Sequence, residues 1–366
     1  MAVRRAAAAA ACLSLPRRLL STSASPPRLL GHFHHPGMTK DIAGRIMCPT
    51  RTAPPGVRFE PLAAAAAAEP HLSLDYLPFD PARGFSLYDS HRGLLLLRQP
   101  TALGSPAFLV CDPVSRRHAL VPPLPKKAIT GDSEFFGPAL LSRAGARFEF
   151  DAVCVTVDAR RPRAWVTSFR GDGCRWEALP RSRDVEIDFD PVWVEQRCVH
   201  AAGSLYWHIC GSHSVLAMDM ATMKFSYMRL PAPVWDDFSH AKCRVGETPD
   251  GRLCVGALEH KKLRLCVRRP GSHGGWVLER EMNLSSELDA VPGLPEKMLR
   301  HNYYFSYWLS DIDAGRTGRV FIRTLGCGRF SYDMDTGSLM RLMTDDGLEY
   351  GDPILAYFAP PDGSID

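Results

Sequence analysis

The 366-residue chain contains no apolar run of 18 residues, so no membrane-crossing helix is expected from it. Net charge is also scarce: 44 Lys and Arg against 40 Asp and Glu leave a formal +4. So small a surplus excludes the basic field carried by nucleic-acid-binding domains and by proteins held on anionic membranes. None of the eleven cysteines, spread from Cys12 to Cys327, forms a C-x-x-C pair, and their number is odd. A disulfide framework and a structural zinc site are therefore both unexpected. Cysteines within apolar runs, as at Val110-Cys111, Val153-Cys154-Val155 and Leu265-Cys266-Val267, read as small buried hydrophobes of a reducing compartment. The G-x-S-x-G nucleophile elbow, the P-loop and H-E-x-x-H are all missing. Gly326-Cys327-Gly328 is a bare G-x-G with no helix pattern behind it, and it reads as a turn.

On these grounds no catalytic, cofactor-binding or metal-ligating residue is assigned. Ser204 beside His200 and His208 is a spacing that a chain of this size yields by chance. Both histidines read as strand residues with satisfied ring nitrogens. His32, His34 and His35 stand in a proline-rich stretch without a Cys or acidic neighbour, so they read as solvated. Two basic groups stand out: Arg160, Arg161 and Arg163, then Lys261, Lys262, Arg264, Arg268 and Arg269. They suit either an acidic-peptide or nucleic-acid contact or solvated hairpin tips, and the lack of interleaved aromatics favours the tips. Asn283-Leu284-Ser285 matches a glycosylation sequon, which the cysteine usage leaves idle.

What is present is globular in composition, with 45% apolar and 23% charged residues, which excludes wholesale disorder. The first acidic residue is Asp41, and Arg4, Arg5, Arg17, Arg18 and Arg28 stand among Ala, Leu and Ser. Such a start suits a mitochondrial or chloroplast presequence, or an alanine-rich helix left from another module. Residues 25–70 have linker composition, with Pro26-Pro27, Pro54-Pro55 and an Ala63–Ala68 tract. The expected division is an N-terminal segment and linker over 1–55 and one domain over 56–366.

Beyond residue 70 the pattern is a repeated β unit. A strand led by glycine recurs at Gly93, Gly203, Gly251 and Gly318. A second strand ends in an Asp-bearing turn, as at Asp112-Pro113, Asp219 and Asp333. A third leaves through Leu-Pro, as at Leu124-Pro125, Leu179-Pro180 and Leu230-Pro231, with Trp276–Arg280 in the same slot. Glycine permits the tight turn, aspartate closes the next by bonding its own backbone, and proline cannot extend the ladder. Five units, about 84–125, 146–182, 194–234, 241–284 and 303–345, recur about every 55 residues. Units of this size with about four strands read as propeller blades. The expected fold is an all-β, propeller-like ring of six blades, the sixth closed by Leu72–Leu77 with Ile354–Phe358. One short helix is expected from Ser285-Ser286-Glu287-Leu288 to before Pro292.

The run Tyr88–Leu96, then Phe108–Pro113 and Pro122–Pro125, with Val199–Trp207, Gly246–Val255, Trp308–Asp313 and Tyr332–Thr336, resembles the F-box-associated family of grasses. The resemblance spans about residues 70–360. It implies a propeller-like domain that follows an F-box and holds a protein target for a ubiquitin ligase. At the N-terminus only the last F-box helix, Ala6–Leu19, and the following Pro26-Pro27-Arg28-Leu29-Leu30-Gly31 are similar. The half that would bind a Skp-type adaptor has no counterpart, which leaves adaptor binding by this chain in doubt.

The expected function is a non-enzymatic protein-interaction module in the cytoplasm or nucleus. It needs no cofactor, and its partner is a protein, with no nucleic acid and no membrane. The alternatives are a hydrolase working in a propeller channel and an organelle-targeted propeller. The recognition loops expected are Gln99–Pro106, Trp235–His240 and Gly271–Gly275. Within them Trp235, Asp236, Asp237, His240 and His273 are the candidate protein-binding residues, Trp235 being either an anchor or packed on its own blade.

Overall fold

Strands with apolar side chains on both faces cannot be covered by one neighbour, and here they are covered by two. A computed structural model describes residues 28–36, 39–40, 46–47, 56–62, 72–77, 86–99, 107–125, 134–143, 148–171, 173–190, 193–210, 212–231, 243–259, 261–269, 271, 275–292, 294, 307–312, 318–324 and 328–359. They form a six-bladed β-propeller of antiparallel sheets.

Blade 1 holds β1 (Leu29–His34), and the small hairpin β2 (Thr39–Lys40) and β3 (Ile46–Met47) leads to its outer strand β4 (Arg58–Pro61). Blade 2 is β5 (Ser86–His91), β6 (Leu94–Gln99), β7 (Ala107–Asp112) and β8 (Arg117–Val121). Blade 3 is β9 (Glu134–Arg143), β10 (Phe150–Asp158), β11 (Arg161–Phe169) and β12 (Glu177–Ala178). Blade 4 is β13 (Val199–Ala201), β14 (Ser204–His208), β15 (Ser214–Asp219) and β16 (Phe225–Arg229). Blade 5 is β17 (Cys243–Glu247), β18 (Leu253–Glu259), β19 (Lys262–Arg268) and β20 (Trp276–Asn283). The helix α1 (Leu284–Ala290) follows, with Asn283 as its N-cap accepting from Ser285 N–H. Blade 6 is β21 (Tyr307–Ile312), β22 (Arg319–Thr324), β23 (Gly328–Asp333) and β24 (Leu339–Arg341). Finally β25 (Leu355–Phe358) returns to blade 1 as its inner strand, pairing Phe358 with Leu29 and Leu355 with Phe33.

The turns are those the repeat requires. Arg92 and Gly93 (φ 49° and 75°) and Ala202 and Gly203 (φ 45° and 79°) make two-residue hairpins with both residues left-handed. Asp112, Asp219 and Asp333 each accept two backbone N–H groups two and three residues on.

Each second strand divides its side chains between two neighbours. Leu94 and Leu96 pack toward blade 3, while Leu95 and Leu97 pack toward blade 1. Ala152 and Cys154 face blade 2, while Val153 and Val155 face blade 4. In blade 5, Leu253 and Val255 face blade 4, while Cys254 faces blade 6. A fully buried aliphatic side chain is worth about 1.5–3 kcal/mol, so these inter-blade layers carry most of the fold.

Three expectations are corrected. Leu72–Leu77 forms no strand; Leu72, Leu74 and Leu77 fill the layer between blades 1 and 2 as an irregular segment. The ring is closed instead by β1 and β4, which lie in the stretch read as linker. His32, His34 and His35 are therefore buried and not solvated. Blade 3 also begins earlier than expected, with β9 preceding Phe150.

The seam between blades 6 and 1 differs from the other five layers. Among the described residues its apolar cluster is Phe321, Leu342 and Ile354, with Tyr350 against it. Polar contacts fill the rest. Arg329, 1% exposed, makes a bidentate pair with Asp352, with Nη2 2.6 Å from Oδ2. Arg323 lies 3.8 Å from the same carboxylate. His34 stacks on Tyr350 at 4.1 Å and accepts the Gly351 N–H through Nδ1. Burial pushes the His34 ring below its ordinary range, against the pull of Glu60.

Arg329→Met takes from the buried Asp352 carboxylate its bidentate partner and leaves only the longer-range pull of Arg323 and Arg197, so the chain is expected to lose about 3 kcal/mol in a denaturant titration. A loss under about 1 kcal/mol would show that the ion pair does not hold the seam.

Candidate interaction site

The inner strand of every blade is a sheet edge, and its outward N–H groups need acceptors. For blades 2, 3 and 5 the preceding blade supplies one. Leu87 N–H donates to His35 Nε2 (3.2 Å), Leu140 N–H to Asp89 Oδ2 (2.8 Å) and Val245 N–H to His208 Nε2 (3.1 Å). An imidazole that accepts through Nε2 must be unprotonated there.

Asp89 also lies 3.0 Å from His200 Nε2, and the His91 ring stacks on His200 at 4.4 Å. This constellation joins blades 2, 3 and 4. Burial would push the Asp89 carboxyl up, but the His200 ring, the Leu140 N–H and His91 hold it below the usual carboxylate range. Burial and then the neighbouring His200 push His91 well below its ordinary value. Next to it, the Tyr88 hydroxyl donates to the Gln196 carbonyl, and Arg197 Nε donates to the Tyr88 carbonyl (3.0 Å). Tyr88 reaches across β9 at Gly137, where a Cβ would fall 1.4 Å from its hydroxyl oxygen.

A His–Asp pair is the raw material of general base catalysis, and a thiol that of nucleophilic catalysis. Here Asp89 is 7% exposed and both of its oxygens already accept hydrogen bonds. Cys111, Cys243 and Cys254 are buried and their thiols are pushed up to about 12 by burial, the state of inert structural cysteines. Among the described residues no group of three or more His, Cys, Asp or Glu is placed to hold a metal ion. No described helix is long and apolar enough to cross a membrane.

A concave feature lies elsewhere. A cleft of about 730 Å³ opens between the outer parts of blades 4 and 5. Tyr206, Met228 and Leu230 form its apolar floor, and Arg268 and Trp276 come from the far wall. Trp276 Nε1–H donates to the Arg229 carbonyl across the cleft (3.3 Å), as Trp176 does to Pro122 (2.7 Å) between blades 2 and 3. Asp219, Tyr227 and Pro231 complete the rim.

The candidate residues Trp235, Asp236, Asp237, His240 and His273 lie outside the described residues. In sequence they flank two cleft residues, Pro231 and Trp276. The sequence does not mark the cleft, because Leu230-Pro231 and Trp276 read there as strand ends. Arg160 and Arg161 pin the segment 182–187, bonding the carbonyls of Ile187, Ser182 and Arg183 and facing Glu186.

A family described as "F-box protein AT5G49610-like, beta-propeller" matches residues 86–298, more than half of the chain. Among curated proteins none matches. Solved structures with a similar arrangement include a protein from Lactobacillus plantarum, 10% identical, over 90% of this chain and 83% of that one, TM-score 0.38. A nidogen/laminin complex chain is 12% identical over 90% and 99%, TM-score 0.43. The WD40 domain of SCAP from fission yeast is 8% identical over 72% and 61%, TM-score 0.34. These likenesses carry no argument about function.

Gly137→Ala is expected to lower the melting temperature by several degrees, about 1–3 kcal/mol, because Tyr88 must leave its place. Unchanged melting would show that Tyr88 does not cross at this point. The pH dependence follows from the two depressed histidines. An unfolded chain takes up protons on His34 and His91 below about pH 6.5, and the folded chain does so only at lower pH. Stability is thus full above that pH and falls as pH drops below it. Melting scans should show a plateau above about pH 7 and a decline toward pH 5, shallower in His91→Phe.

Proposed function

The chain belongs to the F-box protein AT5G49610-like β-propeller family, and from that membership we propose that it is a non-enzymatic protein-interaction module, the target-recognition part of an F-box ubiquitin-ligase receptor. The observation that carries this reading is the use made of the buried ionisable groups. Asp89, His35 and His208 are acceptors for inner-strand N–H groups, which leaves them holding blades in register. A rigid ring then presents its loops and its inter-blade cleft as recognition surface.

Affinity capture with the full chain should retain a protein partner. The purified chain should turn over no ester, lactone or glycoside. Turnover that survives purification and disappears in a folded His200→Phe variant would replace this reading with an enzymatic one. Co-purification of a Skp-type adaptor would place the chain in a ligase, and capture of a target without it would leave a recognition module outside one.

A further inference from the structure

Strand β1 turns two different faces to its neighbours. Phe33 and His35 point to blade 2, where Phe33 joins Leu87 and Leu95 and His35 accepts the Leu87 N–H. His32 and His34 point to blade 6 and to the segment that leads out of it. The His32 ring lies edge-on to Phe321 at 5.3 Å. The fully buried His34 ring lies flat on Tyr350 at 4.1 Å, and its Nδ1 accepts the Gly351 N–H. One side of the closing blade is thus held mainly by apolar burial, which binds no proton. The other side, beyond the small cluster of Phe321, Leu342 and Ile354, is held by ionisable groups.

The groups that face His34 are Glu60 and Arg58 from β4, His32 from β1, and Tyr350, with Asp345 near it, from the segment joining β24 to β25. Burial opposes a charged ring most, His32 and Arg58 oppose it further, and Glu60, with Oε1 3.9 Å from Nε2, favours it. The other seam groups change elsewhere on the pH scale. Arg58, 2.9 Å from Asp346, brings that carboxyl down to about 2. Against burial, Arg329 and then Arg323 hold Asp352 below the usual carboxylate range. Burial pushes the Tyr350 hydroxyl up. Between about pH 7 and pH 5 the imidazoles are therefore what changes. A protonated ring carries N–H on both nitrogens, so His34 can no longer accept from Gly351, and its charge has no water around it.

We propose that the seam between blades 6 and 1 is an acid-operated latch: when His34 takes up a proton it leaves its place beside Tyr350 and Gly351, and the ring opens at that seam while blade 1 stays packed on blade 2. An open seam lets water reach His34, which then ionises as an ordinary imidazole does. Each pH unit below about 6.5 favours the open form by up to about tenfold, until the closed form also takes the proton. The opening is confined to one of the inter-blade layers and precedes global unfolding. It concerns the ring itself and stands whichever partner the chain takes.

Amide hydrogen exchange of the full chain, read by mass spectrometry and corrected for the intrinsic pH dependence of exchange, tests this. Peptides across 342–354 should open about five- to tenfold more often at about pH 5.5 than at about pH 7.5, and at both values they should exchange ahead of β18 and β19. In His34→Gln, which keeps an acceptor and takes up no proton, the response should vanish. In Glu60→Gln, which removes the carboxylate that favours a charged ring, it should persist or grow. In His91→Phe, altered at the axis, the seam should respond as in the parent. A response that survives in His34→Gln, or one that disappears in Glu60→Gln and so belongs to Glu60, would overturn the latch. Exchange of 342–354 in step with β18 and β19, or a shallower seam response in His91→Phe, would make the opening global and overturn it as well.

Discussion

Every blade presents two apolar faces, and no blade can cover both. That constraint forces the ring: Leu94 and Leu95, adjacent in sequence, must be buried against different neighbours, and the same division recurs at Ala152 and Val153 and at Leu253 and Cys254. A row of blades would leave two faces wet. Closing the row removes them, and the closing sheet is built from strands at opposite ends of the described chain.

Ring geometry then sorts polar groups by radius. Near the axis the inner edges crowd together, and their free N–H groups are met by His35, Asp89 and His208 from the preceding blade. Toward the rim, strand twist splays neighbouring blades, and side chains must bridge a widening gap. Trp176 and Trp276 do so between blades 2 and 3 and between blades 4 and 5. The space left beside Trp276 is the cleft. Ionisable groups at the axis thus serve architecture, whereas at the rim Arg268 shares the cleft with Asp219 and forms no side-chain ion pair among the described residues.

Much of the ring was legible in the sequence because its turns are chemically specific. Glycine at left-handed positions, aspartates that bond their own backbone, and Leu-Pro exits mark strand ends whatever the strands contain. The helix after Asn283 was legible for the same reason. What could not be read is what depends on distant partners. Leu29-Leu30-Gly31-His32-Phe33-His34 has no clean alternation and sits among prolines; it becomes a strand because β25 and β4 flank it. β9 was hidden by Gly137-Pro138, tolerable only on an inner edge. The cleft was invisible because a list of basic residues does not say which have a glutamate opposite. Lys262, Arg264 and Arg268 look alike in sequence and differ only in what β20 and β16 place before them.

The pairing of β1 with β25 also bears on how the molecule is made. Leu29 must wait for Phe358, a wait of more than 300 residues. At translation speeds of about 5–20 residues per second, that strand spends many seconds without its mate. Its companion layer, Leu30 and Phe33 against Leu355 and Tyr357, stays wet for the same interval. Blades 2 to 6 each carry their own strands, so only blade 1 depends on the far end of the chain, and the faces it leaves unpaired until then are complementary to each other and, equally, to those of a neighbouring newborn chain.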